Sequence, residues 1–280
     1  MSLKKVLILP FEFQFFNYKR IIRILIITLL LMNVNTFSQQ FLIAVEDDAA
    51  PWSQKDGTGY ANDVVTAAFK AVGSDIKLLV VPYARGKEMV ISGKIVACFS
   101  MSWVPELEGE VVFPKIPLFT CYVDYFARKE DSLNIKKEED LKKGTVVGIV
   151  IDYEYPHSAY KLRDKGILIF DESESEELNL KKLALGRINF ALITHNETKP
   201  SELLIARAGA KDKVINAFRC GSLSSYIGFS TKHQQGTKAL EEFNRGMQII
   251  SSNGSLRKIG KKWKEIALSE IDKLTEEIKK

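Results

Sequence analysis

The chain has 280 residues, a hydrophobic fraction of 46%, a charged fraction of 27% and a net charge of +5. That length accommodates one large domain or two small ones, and that composition excludes an intrinsically disordered chain. The charge excess sits at the start: residues 1–38 carry Lys4, Lys5, Lys19, Arg20 and Arg23 against Glu12, and the remainder holds 35 basic and 34 acidic residues, a balance that offers no ground for a nucleic-acid partner.

The leader reads as a signal peptide. Lys19, Arg20 and Arg23 precede the apolar core Ile24–Met32, and Thr36-Phe37-Ser38 supplies small residues for cleavage near Ser38. A mature, periplasmic chain is therefore expected. The apolar core falls short of the roughly 20 residues that span a bilayer, so an uncleaved anchor is the alternative. No cysteine follows this core, which argues against a lipid anchor.

Beyond the leader, short apolar runs alternate with amphipathic stretches. Phe41–Val45 is predicted as a strand. Over Asn62–Val72, Val65, Ala68, Phe69 and Val72 recur at helical spacing, and Gly73 ends the helix. Lys77–Val81 is a second strand, Arg85–Ser92 a short helix and Ile95–Ser100 a third strand. The second half repeats the scheme with strand Val146–Ile151, helix Tyr155–Asp164, strand Leu168–Phe170, helix Glu176–Leu185 stopped by Gly186, and strand Phe190–Thr194. Strand Ile227–Phe229 precedes the long helix Lys238–Ser252, whose apolar face is Leu240, Phe243, Met247 and Ile250 and which Asn253-Gly254 closes. Strand and helix in turn predict βα units and a mostly parallel sheet, an α/β fold. In the tail 265–280, Ile271, Leu274 and Ile278 make a thin apolar stripe. It is expected to dock on the protein's own surface, with a partner-binding helix as the alternative.

Cys98 lies in the apolar run Ile95–Phe99 and reads as a small buried hydrophobe. Cys121 and Cys220 could pair in an oxidising compartment, and their spacing decides nothing.

A series of segments along the chain carries a resemblance. Pro51-Trp52 follows the first strand, and Gly59-Tyr60-Ala61-Asn62-Asp63-Val64-Val65 opens a helix. Pro82-Tyr83-Ala84-Arg85, Ser92-Gly93-Lys94, Phe113-Pro114-Lys115-Ile116-Pro117 and Gly186-Arg187-Ile188-Asn189 follow. Together, over roughly Phe41 to Trp263, they resemble the bacterial extracellular solute-binding proteins of the amino-acid-binding type, family 3, the receptors of ABC importers. The resemblance implies a two-lobed periplasmic-binding fold of type II. Lobe one would take 39–120 and 225–280, lobe two 121–224, with hinge crossings near Phe119–Val123 and Ser222–Tyr226. Periodicity alone equally allows two consecutive domains divided near the charged run Lys136–Lys143.

In an open α/β fold, ligand lies where loops converge at the carboxyl ends of the strands. That rule selects Glu46, Asp47, Asp48, Pro51 and Trp52 after the first strand. It adds Tyr83 and Arg85 after the second, and Ser100, Ser102 and Trp103 after the third. In the second half it selects Asp152, Tyr153 and Tyr155, then Thr194, His195 and Asn196. Rings and hydroxyls at strand ends suit a small polar solute. Arg85 is the only cation in this set, so a small polar or weakly anionic solute, stacked on rings and steered by Arg85, is expected.

The resemblance also implies an arginine for the ligand carboxylate soon after Ser100-Met101-Ser102, where this chain reads Val104-Pro105-Glu106-Leu107-Glu108. It implies a carboxylate for the ligand ammonium where Thr194 stands, and Ala61 and Val96 replace acids common in the family. A standard α-amino acid held in the family's usual way is not expected.

No phosphate-binding glycine loop, nucleophile elbow or zinc-protease helix occurs. His157, His195 and His233 form no ligand pattern, so neither cofactor nor metal is expected. Some proteins of this fold are cyclohexadienyl dehydratases, and Glu46, Asp152 or His195 could serve as a general acid. Without a clear carboxylate clamp the chain reads as a binder, not an enzyme. The expected partners are a small-molecule solute and an importer permease, with the chain a monomer. A periplasmic sensing or scaffold protein of the same fold is the alternative.

Overall fold

A computed structural model of the protein describes residues 40–131 and 135–278. The expected signal peptide and cleavage site lie outside the described residues. No described helix is long and apolar enough to cross a membrane.

Strand β1 (Phe41–Glu46) is buried at every position but Leu42, the signature of a strand covered on both faces. After the short hairpin β2 (Asp48–Ala49) and β3 (Ser53–Gln54), helix α1 (Tyr60–Ala71) begins at Gly59. Gly59 has φ 150°, and a Cβ there would sit 2.3 Å from the Trp52 carbonyl oxygen, so only glycine fits. Strand β4 (Ile76–Val81), helix α2 (Tyr83–Ile91) and strand β5 (Ala97–Ser102) complete the first βαβ series. Tyr83 thus opens a helix rather than lying in a loop before one. The two-residue strand β6 (Val111–Val112) leads to β7 (Phe119–Arg128), which the sequence pattern did not reveal.

The second half runs β8 (Thr145–Val150), α3 (His157–Asp164), β9 (Leu168–Ser173), α4 (Glu176–Ala184), β10 (Phe190–His195) and α5 (Ser201–Arg207). Ser175 caps α4 by accepting from the Leu178 amide. Strand β11 (Val214–Ser230) spans 17 residues where only Ile227–Phe229 was expected. Helices α6 (Gly236–Ser252) and α7 (Ser255–Ile278) end the chain.

The main sheet runs in the order β4-β1-β5-β11-β7-β10-β8-β9, with β6 on β11. Its two ends are parallel, β4-β1-β5 and β10-β8-β9. Its middle is antiparallel, because β11 pairs with both β5 and β7 and β7 with β10. The two expected crossings lie side by side there: Phe119 faces Ser225, Cys121 faces Leu223 and Val123 faces Gly221.

Each end of the sheet carries a core on either face. Ile43, Val45, Phe69, Phe99, Phe229, Phe243 and Met247 pack on one side of the first end, and Ala44, Val90, Ile95, Cys98 and Met101 on the other. Val123, Tyr125, Ile149, Phe190 and Leu192 oppose Phe126, Leu180, Leu183, Ala191 and Ile193 at the second. Helices α1 and α6 approach so closely that a Cβ on Gly246 would lie 1.9 Å from the Ala68 carbonyl oxygen. Phe243 is fully buried at this contact, and its loss to alanine should cost about 3–5 kcal/mol.

The tail is the end of one continuous helix. Trp263 is 4% exposed and donates to Asp63 at 2.8 Å, which ties α7 to α1. Further along, Arg207 of α5 grips Glu270 through two hydrogen bonds of 2.8 and 2.9 Å. The tail therefore docks on the protein's own surface. Cys98, Cys121 and Cys220 are free thiols. Burial pushes the Cys121 thiol up to about 12 and the Cys220 thiol likewise to about 12, so both are inert at neutral pH.

Candidate functional site

A small cavity, open to solvent at its mouth, lies where the two ends of the sheet face one another. Glu46, Trp52, Ser100, Ser102, Phe119 and Ser225 line it from one half of the molecule. Tyr153, Glu154 and Thr194 line it from the other, and the paired Cys121 and Leu223 lie between.

Ser100 reaches the cavity through a backbone irregularity. The β5–β11 register slips between Tyr226 and Ile227, leaving Ser100 unopposed, and its φ is +72°. Such a bulge re-aims a side chain, and the left-handed conformation of a non-glycine residue carries strain. The Ser100 hydroxyl, and that of Ser225 on the neighbouring strand, are buried with no hydrogen-bond partner among the described residues. A buried hydroxyl left unpaired costs about 1–3 kcal/mol, so both ask for a partner in the cavity.

Glu154 occupies the far wall. Its carboxylate accepts from the Tyr83 hydroxyl at 2.7 and 2.8 Å, from Lys87 Nζ at 2.7 Å and from the Ser102 amide at 3.2 Å. Burial, then the Glu154 charge, holds the Tyr83 phenol well above its ordinary range, so it stays a donor. Glu46 accepts from Tyr153. Its burial pushes the carboxyl up to about 8, against the pull of the Tyr153 bond and of Lys199.

Lys199 is fully buried behind the opposite wall. It pairs with Glu176, lies 3.2 Å from Thr194 Oγ1 and sits 4.2 Å over the Trp52 ring. Glu176 also accepts from the Thr194 amide at 2.6 Å and its hydroxyl at 2.7 Å. A buried ammonium persists only with such partners. Trp52 itself donates to Thr198 at 3.0 Å and Asn196 at 3.2 Å, and stacks 4.2 Å from Phe119. Its ring is engaged by the protein on several sides.

Of the residues selected from sequence, Glu46, Trp52, Ser100, Ser102, Tyr153 and Thr194 come together at the cavity. Tyr83 stands one bond behind it, through Glu154. Arg85 is solvent-exposed and Trp103 is 57% exposed, and neither lines the cavity. Asp152 is exposed in a left-handed turn and offers only its carbonyl, to Lys87 at 3.1 Å. Tyr155 points into the core, where its hydroxyl accepts from the Val150 amide. His195 pairs with the buried Asp124 at 2.8 Å instead. Arg85 misses the cavity because α2 starts at Tyr83 and turns it outward, while Lys87, one turn from Tyr83, faces Glu154.

Sequence reasoning missed Glu154, Phe119, Cys121, Leu223 and Ser225 in the lining, and Lys87 and Lys199 behind it. Glu154 stands between two candidates, Tyr153 and Tyr155, and its burial was the missing signal. The lining holds two carboxyl groups and no lysine, arginine or histidine, so an anionic solute steered by Arg85 loses its support. Among the described residues no group of three or more His, Cys, Asp or Glu could hold a metal ion.

Comparison with known proteins gives the fold a family. No curated protein matches the chain. A histidine kinase sensor domain with similarity to periplasmic binding proteins superposes with a TM-score of 0.68 at 19% identity, over 80% of this chain and 96% of that one. The GluR0 ligand-binding core from Nostoc punctiforme, in complex with L-glutamate, gives 0.65 at 19% identity, over 80% and 98%. The arginine-, lysine-, histidine-binding protein ArtJ from Geobacillus stearothermophilus gives 0.66 at 16% identity, over 80% and 95%. At such identities the likeness is one of fold: mixed α/β, of the two-lobed periplasmic-binding type II. The family model of the bacterial extracellular solute-binding proteins, family 3, matches residues 41–266. The chain belongs to that family.

Proposed function

We propose that this protein captures a small polar solute between its two halves and delivers it to an ABC importer in the periplasm. The lobes would be 39–120 with 225–280, and 121–224, turning about the paired segments Phe119–Val123 and Ser222–Tyr226. The observation that carries the reading is the cavity itself, walled by both halves and holding the unpartnered hydroxyls of Ser100 and Ser225. Glu46, Ser100, Tyr153, Glu154 and Ser225 would contact the solute, in place of Arg85. Binding and release, not turnover, is the reading. The polar lining groups are held by Tyr83, Lys87 and Tyr153 rather than poised against a free nucleophile.

A thermal-shift screen across metabolites tests it. A solute at 100 times its dissociation constant stabilises by about 2.7 kcal/mol. A genuine hit should lose affinity in Ser225→Val, and scattering should report a change in radius of gyration on binding. A hit indifferent to Ser225 and to Glu46 would place binding elsewhere and sink the reading.

Sensing without transport is a second reading, favoured by the likeness to a histidine kinase sensor domain. Deletion of the gene separates the two. Lost uptake of the solute supports delivery, whereas retained uptake with a lost transcriptional response supports sensing.

A further inference from the structure

We infer that the solute is a small primary amine lacking a carboxylate, with its ammonium held by Glu46, Ser100 and Ser225 and its carbon stem against Phe119 and Leu223. The inference rests on the cavity being a solute site and names the chemistry it selects.

Three observations carry it. First, the cations near the cavity that could neutralise an anion are already taken, together with the phenol and amide donors beside them. The Tyr83 hydroxyl, Lys87 Nζ and the Ser102 amide all converge on Glu154, an acid of the protein itself that is 6% exposed. The other cation nearby, Lys199, is bound to Glu176 and lies over Trp52. A solute carboxylate would find two carboxyl groups in the wall and no free cation. Second, what remains open is two hydroxyls and one carboxyl group, each with an oxygen able to accept. Ser100 Oγ and Ser225 Oγ have no partner among the described residues, and Ser225 is 4% exposed. Glu46 accepts one bond, from Tyr153, and a carboxyl oxygen has room for more. An ammonium carries three donors and no acceptor, which matches three such oxygens. Third, the rest of the lining is apolar or already bonded within the protein. Thr194 donates to Glu176, Tyr153 to Glu46 and the Ser102 amide to Glu154, and Phe119, Leu223, Cys121 and Trp52 offer no partner for a second polar end. An α-amino acid would bury its carboxylate there uncompensated, at a cost that burial of an unpaired charge makes large. A neutral alcohol of the same length would use the hydroxyls but leave on Glu46 the proton that burial keeps there, whereas an ammonium beside it favours the carboxylate and gains a charge pair.

The test titrates the mature chain with propylamine and butylamine, and with 1-propanol and propionate as neutral and anionic counterparts, by calorimetry and thermal shift. At least one amine should bind at least tenfold more tightly than 1-propanol, and propionate should give no shift. Glu46→Gln should weaken that amine tenfold or more, while Glu106→Gln, an exposed acid outside the cavity, should change it less than twofold. Should Glu46→Gln fold poorly, Ser225→Val provides the second variant, with at least a fivefold loss expected. Propionate or glycine binding as tightly as the amines, or both amines failing to bind, overturns the amine. If a metabolite of another charge then binds with dependence on Ser225, the solute-binding reading survives alone. If no compound of any charge does so, both fall.

Discussion

The Tyr83 hydroxyl donates to the Glu154 carboxylate at 2.7 and 2.8 Å, joining the first turn of α2 to the turn that follows β8. These residues are 71 positions apart in the chain. The bond, with Lys87 and the Ser102 amide on the same carboxylate, ties the two halves together across the cavity. Tyr83→Phe should lower the unfolding free energy by about 1–2 kcal/mol, the worth of a buried bond to a charged acceptor. Denaturant unfolding measures it. It should also enlarge the radius of gyration in solution, because one of the struts across the cavity is gone. An unchanged radius in both Tyr83→Phe and Glu154→Gln would show that this contact does not hold the halves together.

Glu46 should leave a mark on the pH dependence of stability. Its carboxyl, raised by burial to about 8 with Tyr153, Lys199, Glu176 and Asp48 around it, keeps its proton in the folded chain well above the ordinary 4.5. The folded state therefore binds more protons than the unfolded one between these values. Glu46's contribution is full below about 4.5 and is lost as pH rises through about 8. One such proton changes stability by at most about 1.4 kcal/mol per pH unit. Glu46→Gln should flatten the fall in unfolding free energy between pH 5 and 8.5. Parallel pH profiles of parent and variant would contradict the buried, protonated carboxyl.

Ser100→Gly should separate stability from binding. The left-handed φ of +72° costs a non-glycine residue about 1–2 kcal/mol. Glycine adopts it freely, at some cost in unfolded-chain entropy. The variant should melt at the same or a higher temperature and bind the solute more weakly, because the hydroxyl at the cavity is gone. A lower melting temperature would mean that the bulge is held by contacts the hydroxyl makes.

The end of α7 should contribute modestly. Glu270→Gln removes the charge that Arg207 grips, and the Glu270 side chain is 35% exposed. Solvent screening limits the loss to about 0.5–1 kcal/mol, or about 1–4 °C for a chain of this size. Removing residues 265–280 should cost more, because Ala267 is fully buried. A truncated chain with undiminished stability would make the tail's docking incidental.

Much of the fold was legible in local pattern. The apolar run Phe41–Val45 and the helical periodicity over Asn62–Val72 and Lys238–Ser252 placed β1, α1 and α6 to within a few residues, because a strand covered on both faces is apolar throughout and a helix that buries one face repeats every 3.6 residues. Gly59 opened one of the segments that carry the resemblance, and the structure supplies its reason in the Trp52 carbonyl. The long strand β11 was not legible. Its middle, Cys220-Gly221-Ser222-Leu223-Ser224-Ser225, carries no alternation of apolar and polar residues, and it is a strand because β7 supplies hydrogen bonds along it.

The site divides the same way. Strand ends put Glu46, Ser100, Ser102, Tyr153 and Thr194 at the cavity, since in an α/β sheet those ends converge. Which charges face it was decided only in three dimensions. Lys87 turns to Glu154 and Lys199 to Glu176, while Arg85 turns to solvent. A charge is buried or left outside according to whether a partner from a distant segment meets it. Sequence alone fixes neither that meeting nor the two serine hydroxyls left without one.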